Sequence, residues 1–141
     1  MERKSTDQLQ QELMTGNDLD RVLADNDGSF QGYALQERLQ EMFRRRGTSK
    51  TALAKQSGIS EVYLHQVFSG RRTPSRNRLL CLCFGLGASV EETQDLLRHA
   101  RLAPLYSRDR RDAIVIFGLS HGISLAEIND KLYAEDADTL C

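Results

Sequence analysis

An all-α fold is the expectation for this chain, and three observations carry it. Apolar residues recur at helical spacing in one segment after another: Leu35, Leu39, Met42 and Phe43, then Leu64, Val67 and Phe68, then Leu96, Leu97 and Ala100. A serine followed three residues later by Glu or Gln, the pattern of a reciprocally bonded helix start, occurs at Ser5 and Gln8, Ser89 and Glu92, and Ser124 and Glu127. Glycines follow the periodic segments at Gly47, Gly58, Gly70 and Gly87, where a helix must stop.

The elements follow in order. Residues 5–25 read as two short helices, the first with Leu9 and Leu13 four apart, the second capped by Asn17 or Asp18 and carrying Leu19, Val22 and Leu23. Asn26-Asp27-Gly28-Ser29 is a break. A longer helix is expected from about Tyr33 to Arg46, with Arg44, Arg45 and Arg46 at the negative end of its dipole. Ser49 caps a helix over Lys50–Gln56, Ser57-Gly58 turns the chain, and Ser60 caps a helix reaching Phe68. Thr73 as cap and Pro74 in the first turn open the next helix, which runs through Leu79, Leu80, Leu82 and Phe84 to Gly85 or Gly87. Ser89 opens another. Ala113–Phe117 is a short apolar run compatible with a strand; the helical flanks favour a helix buried on most sides. Ile123 and Ile128 stand at staple spacing around Ser124, which marks a last helix over 125–134. The acidic tail AEDADTLC is expected to fray.

Length suits one small domain with helical additions, placed at 1–30, 31–102 and 103–141, the last expected to pack on the same core as the middle one. The net charge of −1 conceals a strong asymmetry. Residues 31–85 hold ten Lys/Arg and three Asp/Glu, whereas 1–30 and 86–141 are each net −4. A basic middle suits a polyanion. No apolar run approaches the ~20 residues of a membrane helix, and the N-terminus lacks an apolar signal core. Three cysteines without a CxxC pair point to a reducing cytoplasm.

Within the basic middle, residues 49–74 carry the layout of a helix-turn-helix. Ala54 is small where the two helices approach, and Gly58, four residues on, tolerates positive φ in the turn. Leu53, Ile59, Leu64 and Val67 take the inward positions. Ser60, Glu61, Val62, Tyr63, His65, Gln66 and Ser69 are left to face outward together.

Here the chain resembles the cro/C1-type helix-turn-helix family, the XRE family of DNA-binding proteins. The matching residues are Leu53-Ala54, Gly58-Ile59-Ser60, Leu64, Val67, Ser69-Gly70-Arg71-Arg72, Pro74-Ser75 and the helix Leu79–Leu86, within about residues 33–100. The resemblance implies a λ-repressor-like domain of about five helices, with its third helix in the major groove of double-stranded DNA; the expected N- and C-terminal helical extensions, 1–30 and 103–141, lie outside it. By position it implies base or groove contacts from Lys50, Ser60, Glu61, Tyr63, His65 and Gln66, and phosphate contacts from Ser49, Ser69, Arg71, Arg72 and Arg76.

Blander readings stand beside these. Arg44–Arg46 fit a solvated helix end as well as a phosphate contact. Cys81 and Cys83 read as small core hydrophobes before redox sensors. Tyr106, Arg108, Arg110 and Arg111 read as a solvated linker pairing with Asp109 and Asp112 before a second basic contact. His99 and His121 read as surface or capping groups. Ala113–Phe117 reads as core, then as an oligomer seam. No phosphate-binding loop, metal motif or nucleophile elbow occurs, so neither an enzyme, a cofactor nor a metal is expected. The leading expectation is a cytoplasmic, sequence-specific transcriptional regulator acting as a homodimer, with no effector identifiable. The alternative is a protein-interaction module, antitoxin-like or an anti-regulator, built on the same scaffold; Glu61, the acidic flanks and an apolar Val62, Tyr63 and Phe68 motivate it.

Overall fold

The computed structural model describes residues 5–25 and 31–141, and every regular element among them is a helix. In chain order these are α1 (Thr6–Thr15), α2 (Leu19–Asp25), α3 (Gln31–Arg46), α4 (Lys50–Gln56), α5 (Glu61–Phe68), α6 (Arg76–Leu86), α7 (Val90–His99), α8 (Arg110–His121) and α9 (Leu125–Ala134). The break expected at 26–29 lies outside the described residues.

Local chemistry sets most boundaries. Ser5, Ser49, Ser60, Ser75, Ser89 and Ser124 each accept a hydrogen bond from the backbone N–H three residues on. At α1 and α7 the bond is returned, by Gln8 and Glu92. Gly87 and Gly122 close α6 and α8 in the left-handed conformation. Two starts differ from expectation: α3 begins at Gln31, two residues before Tyr33, and α6 begins at Arg76 with Ser75 as its cap, not at Thr73-Pro74. Pro74 disfavours helical geometry in the residue before it, and its own ring is buried, so the chain stays extended for two more residues.

α6 is the central rod. Leu79, Leu80, Cys81, Leu82 and Cys83 are all fully buried, so it is apolar on every side and is wrapped by α3, α4, α7 and α9. The cysteines are core hydrophobes, as expected, and burial pushes both thiols up to about 12. One continuous cluster joins Leu39, Leu53, Leu64 and Leu97 to Leu105, Val115, Leu119, Leu132 and Leu140. The last forty residues therefore share the core of residues 34–97 instead of forming a separate one.

Three expectations for that C-terminal part are corrected. Ala113–Phe117 is helical but not buried on most sides: Val115, Gly118 and Leu119 face inward, while Phe117 is exposed and stacks on His121 at 3.9 Å. α8 is an outer helix that packs on α9 and α7 and meets Arg76, Asn77 and Phe84 of α6. The segment 108–112 is no solvated linker pairing with its own acids. Asp109 caps α8, Arg110 pairs with Glu135, and Asp112 is buried against Arg76. The tail does not fray. Leu140 is in the core, its N–H donates to Asn129 Oδ1 at 2.8 Å, and Arg111 donates to the carbonyls of Asp138 (2.7 Å) and Thr139 (3.1 Å). Burying one leucine contributes about 1.5–3 kcal/mol, which with these hydrogen bonds opposes the ordering cost of about 1–2 kcal/mol per residue.

The α7 start carries a pH dependence. Glu92 bonds the Ser89 N–H at 3.0 Å and pairs with Arg45 of α3. The Ser89 backbone bond, then the Arg45 guanidinium, hold its carboxyl below the ordinary value. A depressed carboxylate stabilises the fold above its unfolded pKa of about 4.3, and that stability is lost as pH falls through the folded value. Glu92→Gln keeps the capping acceptor but removes the charge. It is expected to cost about 0.5 kcal/mol at pH 7, since Arg45 is largely solvated. It should also flatten the decline of Tm below pH 5, as followed by circular dichroism; an unchanged acid slope would rule out this role.

Candidate nucleic-acid interface

α4 and α5 are joined by the turn Ser57-Gly58-Ile59-Ser60. Gly58 has φ +62°, which a side chain disfavours, and the Ile59 N–H returns to the Ala54 carbonyl at 3.1 Å. Leu53 and Ala54 of α4 and Leu64 and Val67 of α5 fill the interior of the angle. Thr51 Oγ1 donates to Glu61 Oε1, which ties the first turn of α4 to the first turn of α5.

The far end of α5 is held from α3. Gln36 and Gln40 donate their side-chain N–H groups to the Phe68 carbonyl at 2.6 and 2.9 Å. These bonds satisfy an orphan carbonyl of the last turn. Gly70 (φ +80°) lies against Gln36, and the Arg71 and Arg72 N–H groups fold back to the Gln66 carbonyl. The loop 69–73 is thereby bonded back to the end of the helix.

Val62, His65, Gln66 and Ser69 have spacing i, i+3, i+4 and i+7 and form one outward ridge; Gln66 is half-buried and the rest are exposed. Ser60 is exposed at the ridge's leading end, its hydroxyl accepting from Tyr63 N–H at 3.1 Å. Glu61 is exposed beside the ridge, with its carboxylate engaged by Thr51. Lys50 lines a cleft of about 340 Å³ together with Arg44, His65 and Ser69. Ser49 is exposed at the start of α4; its oxygen accepts from Ala52 N–H at 3.1 Å, leaving its O–H able to donate. Arg71 and Arg72 are exposed just beyond α5.

Two residues expected on this surface lie elsewhere. Tyr63 is buried, 7% exposed, because helical phase places it beside Leu64 and Val67 on the inner flank. Its ring is a platform instead: the Arg72 guanidinium stands 5.5 Å and that of Arg78 4.3 Å from its centre. Arg76 turns away from α5 altogether. It donates to the carbonyls of Ala103 (2.9 Å) and Pro104 (3.1 Å) and makes two bonds to Asp112, at 3.0 and 3.3 Å. All three of its guanidinium nitrogens are engaged in clamping the C-terminal extension to α6.

Sequence reading passed over Arg78, which is exposed and shares the Tyr63 ring with Arg72. Fifteen residues separate Tyr63 from Arg78, so no local pattern signals the pair.

Residues 34–96 match the model of a family described as a helix-turn-helix domain. The match supports a helix-turn-helix DNA-binding domain, whose two helices are α4 and α5. No curated protein and no solved structure matches the chain. The helix-turn-helix domain here is all-helical and is continued by α8, α9 and the docked tail on the same core. Among the described residues no group of acids, histidines or cysteines is placed to hold a metal ion, and no helix is long and apolar enough to cross a membrane.

Proposed function

We propose that this protein is a sequence-specific DNA-binding transcriptional regulator of the cro/C1 (XRE) kind, reading the major groove with α5. The observation that carries the reading is the outward ridge of α5. It is exposed apart from a half-buried Gln66; Lys50 lines a cleft with its His65 and Ser69, Arg71 follows the helix end, and Arg72 and Arg78 stand over Tyr63 of its first turn. In this scheme Gln66 and Lys50 reach base edges and His65 adjoins them. Ser49, Ser69 and the arginines hold phosphates and set register. The ring of Tyr63 presents Arg72 in place, which lowers the ordering cost of the contact. Arg76 has no part in it.

One α5 spans only a few base pairs, so a homodimer on a two-fold site is the assembly we propose, with the acidic flanks as the region for protein contacts. The rival reading, a protein-interaction module, calls for a broad apolar surface on α5. Tyr63 and Phe68 are both buried, which leaves Val62 alone and favours DNA.

The test is selection of binding sites from random duplexes by the full chain, followed by affinity against salt. An enriched sequence and a steep negative log–log slope are expected. Gln66→Ala should change preference at one position, by a factor of about 5–100. Arg72→Ala should weaken all sites alike and lower the slope by about one. No enriched sequence together with salt-independent binding would reject the proposal.

A further inference from the structure

Among the described residues between 34 and 105, Val62 is the one large apolar side chain left in solvent, at 68% exposure. It does not belong to a patch. Its neighbours on the ridge are His65, Gln66 and Ser69, and Tyr63, Phe68 and Leu64 point the other way, into the core. One isopropyl group is too small for a protein-docking surface. It matches the size of the single apolar group displayed in the major groove, the C5-methyl of thymine.

Position supports the match. Val62 lies in the first turn of α5, the end that meets base edges when such a helix enters the groove. Gln66 is one turn further on the same face and presents an amide able to bond adenine N6 and N7 together. The adjacent acid is held aside, because Glu61 is bonded to Thr51. A β-branched residue is also stiff about χ1, so the two methyls of Val62 are fixed with little entropy left to lose on contact.

We infer that Val62 is a specificity-determining residue: its side chain packs on the methyl of a thymine in the bound site, next to the base pair read by Gln66. The inference rests on the DNA-binding reading above and deepens it.

Deoxyuridine differs from thymidine by that methyl alone, which makes the test clean. In the site selected by the full chain, each thymine is replaced in turn by deoxyuridine, and affinity is measured for the wild type and for Val62→Ala. That variant keeps the helix, since Val62 is solvent-exposed and alanine is the better helix former. One thymine per half-site should weaken wild-type binding on the order of fourfold when its methyl is removed. Val62→Ala should bind the thymine site more weakly by a similar factor, and should not distinguish thymine from deoxyuridine there. The two losses are thus non-additive, the signature of direct contact. If every deoxyuridine site binds the wild type as well as its parent, or if the losses simply add, the inference is overturned while the DNA-binding reading survives. If no sequence is enriched at all, both fall.

Discussion

Arg76→Ala is expected to lower the free energy of unfolding by about 3 kcal/mol, the low end of the cost of removing one partner from a buried ion pair, because about a quarter of the Arg76 side chain is in solvent. At this chain length the loss corresponds to a Tm drop on the order of 10 °C. Asp112 is 7% exposed and takes two of its hydrogen bonds from Arg76. Without the guanidinium it keeps the Tyr106 N–H, at 3.0 Å, and a buried charge with too few donors. The Ala103 and Pro104 carbonyls lose their donor in the same step. Arg76→Lys should recover only part of the loss, because an ammonium group cannot span two carbonyls and a carboxylate at once. Thermal unfolding reads the effect, and DNA titration below the transition reads the alternative. Full stability with a salt slope reduced by one would mean that Arg76 contacts phosphate after all.

Gly85→Ala should be the most damaging single-methyl change, at about 3 kcal/mol, the upper end of the overpacking range. A Cβ at Gly85 would lie 2.0 Å from Ser57 Oγ and 3.0 Å from Leu53 Cδ1. α4 crosses α6 here, with Leu53, Ala54 and Ser57 buried against it, so the added methyl fits only if α4 shifts outward and gives up that packing. Ser57 is itself anomalous: it is fully buried and its hydroxyl lacks a hydrogen-bond partner. Ser57→Ala should therefore be neutral or stabilising by about 1 kcal/mol, since a desolvated hydroxyl is removed. In that background the new methyl at position 85 meets a Cβ at 3.2 Å in place of the oxygen at 2.0 Å. Gly85→Ala should then cost at least about 1 kcal/mol less than in the wild type, a coupling that a double-mutant cycle in urea measures. Additive losses would show that the strain at this crossing lies elsewhere.

These two sites show what kind of information the chain spells out locally. Helix starts were legible because capping is a bond across three residues: Ser49, Ser60, Ser89 and Ser124 all cap the helices expected of them. The turn at Gly58 was legible because φ +62° demands glycine. The last helix, 125–134, agrees to the residue. Where two local signals competed, at Thr73-Pro74-Ser75, the buried proline ring decided, and no local rule weighs that packing.

The surface was less legible than the elements. Which faces of α5 point out depends on helical phase against α3 and α4. A list of residues that do not fit the inward pattern therefore included Tyr63, which is buried. Arg76 is two residues from Arg78 and carries the same charge, yet one is a clamp and the other stands free on the Tyr63 ring. The same limit hid the docked tail. The composition AEDADTLC is polar, and only the arrival of Asn129 and Arg111 at its backbone explains why it is held.

By itself, then, the sequence determined an all-α chain, most of its helix boundaries and a helix-turn-helix in a basic stretch, since periodicity, capping and turn chemistry act over three to seven neighbouring residues. The tertiary structure alone decided which arginines are free, which tyrosine is a platform, and that the acidic tail is held down to Leu140. Each of those outcomes depends on partners brought from 15 to 60 positions away, and burial and hydrogen-bond satisfaction are properties of the packed whole.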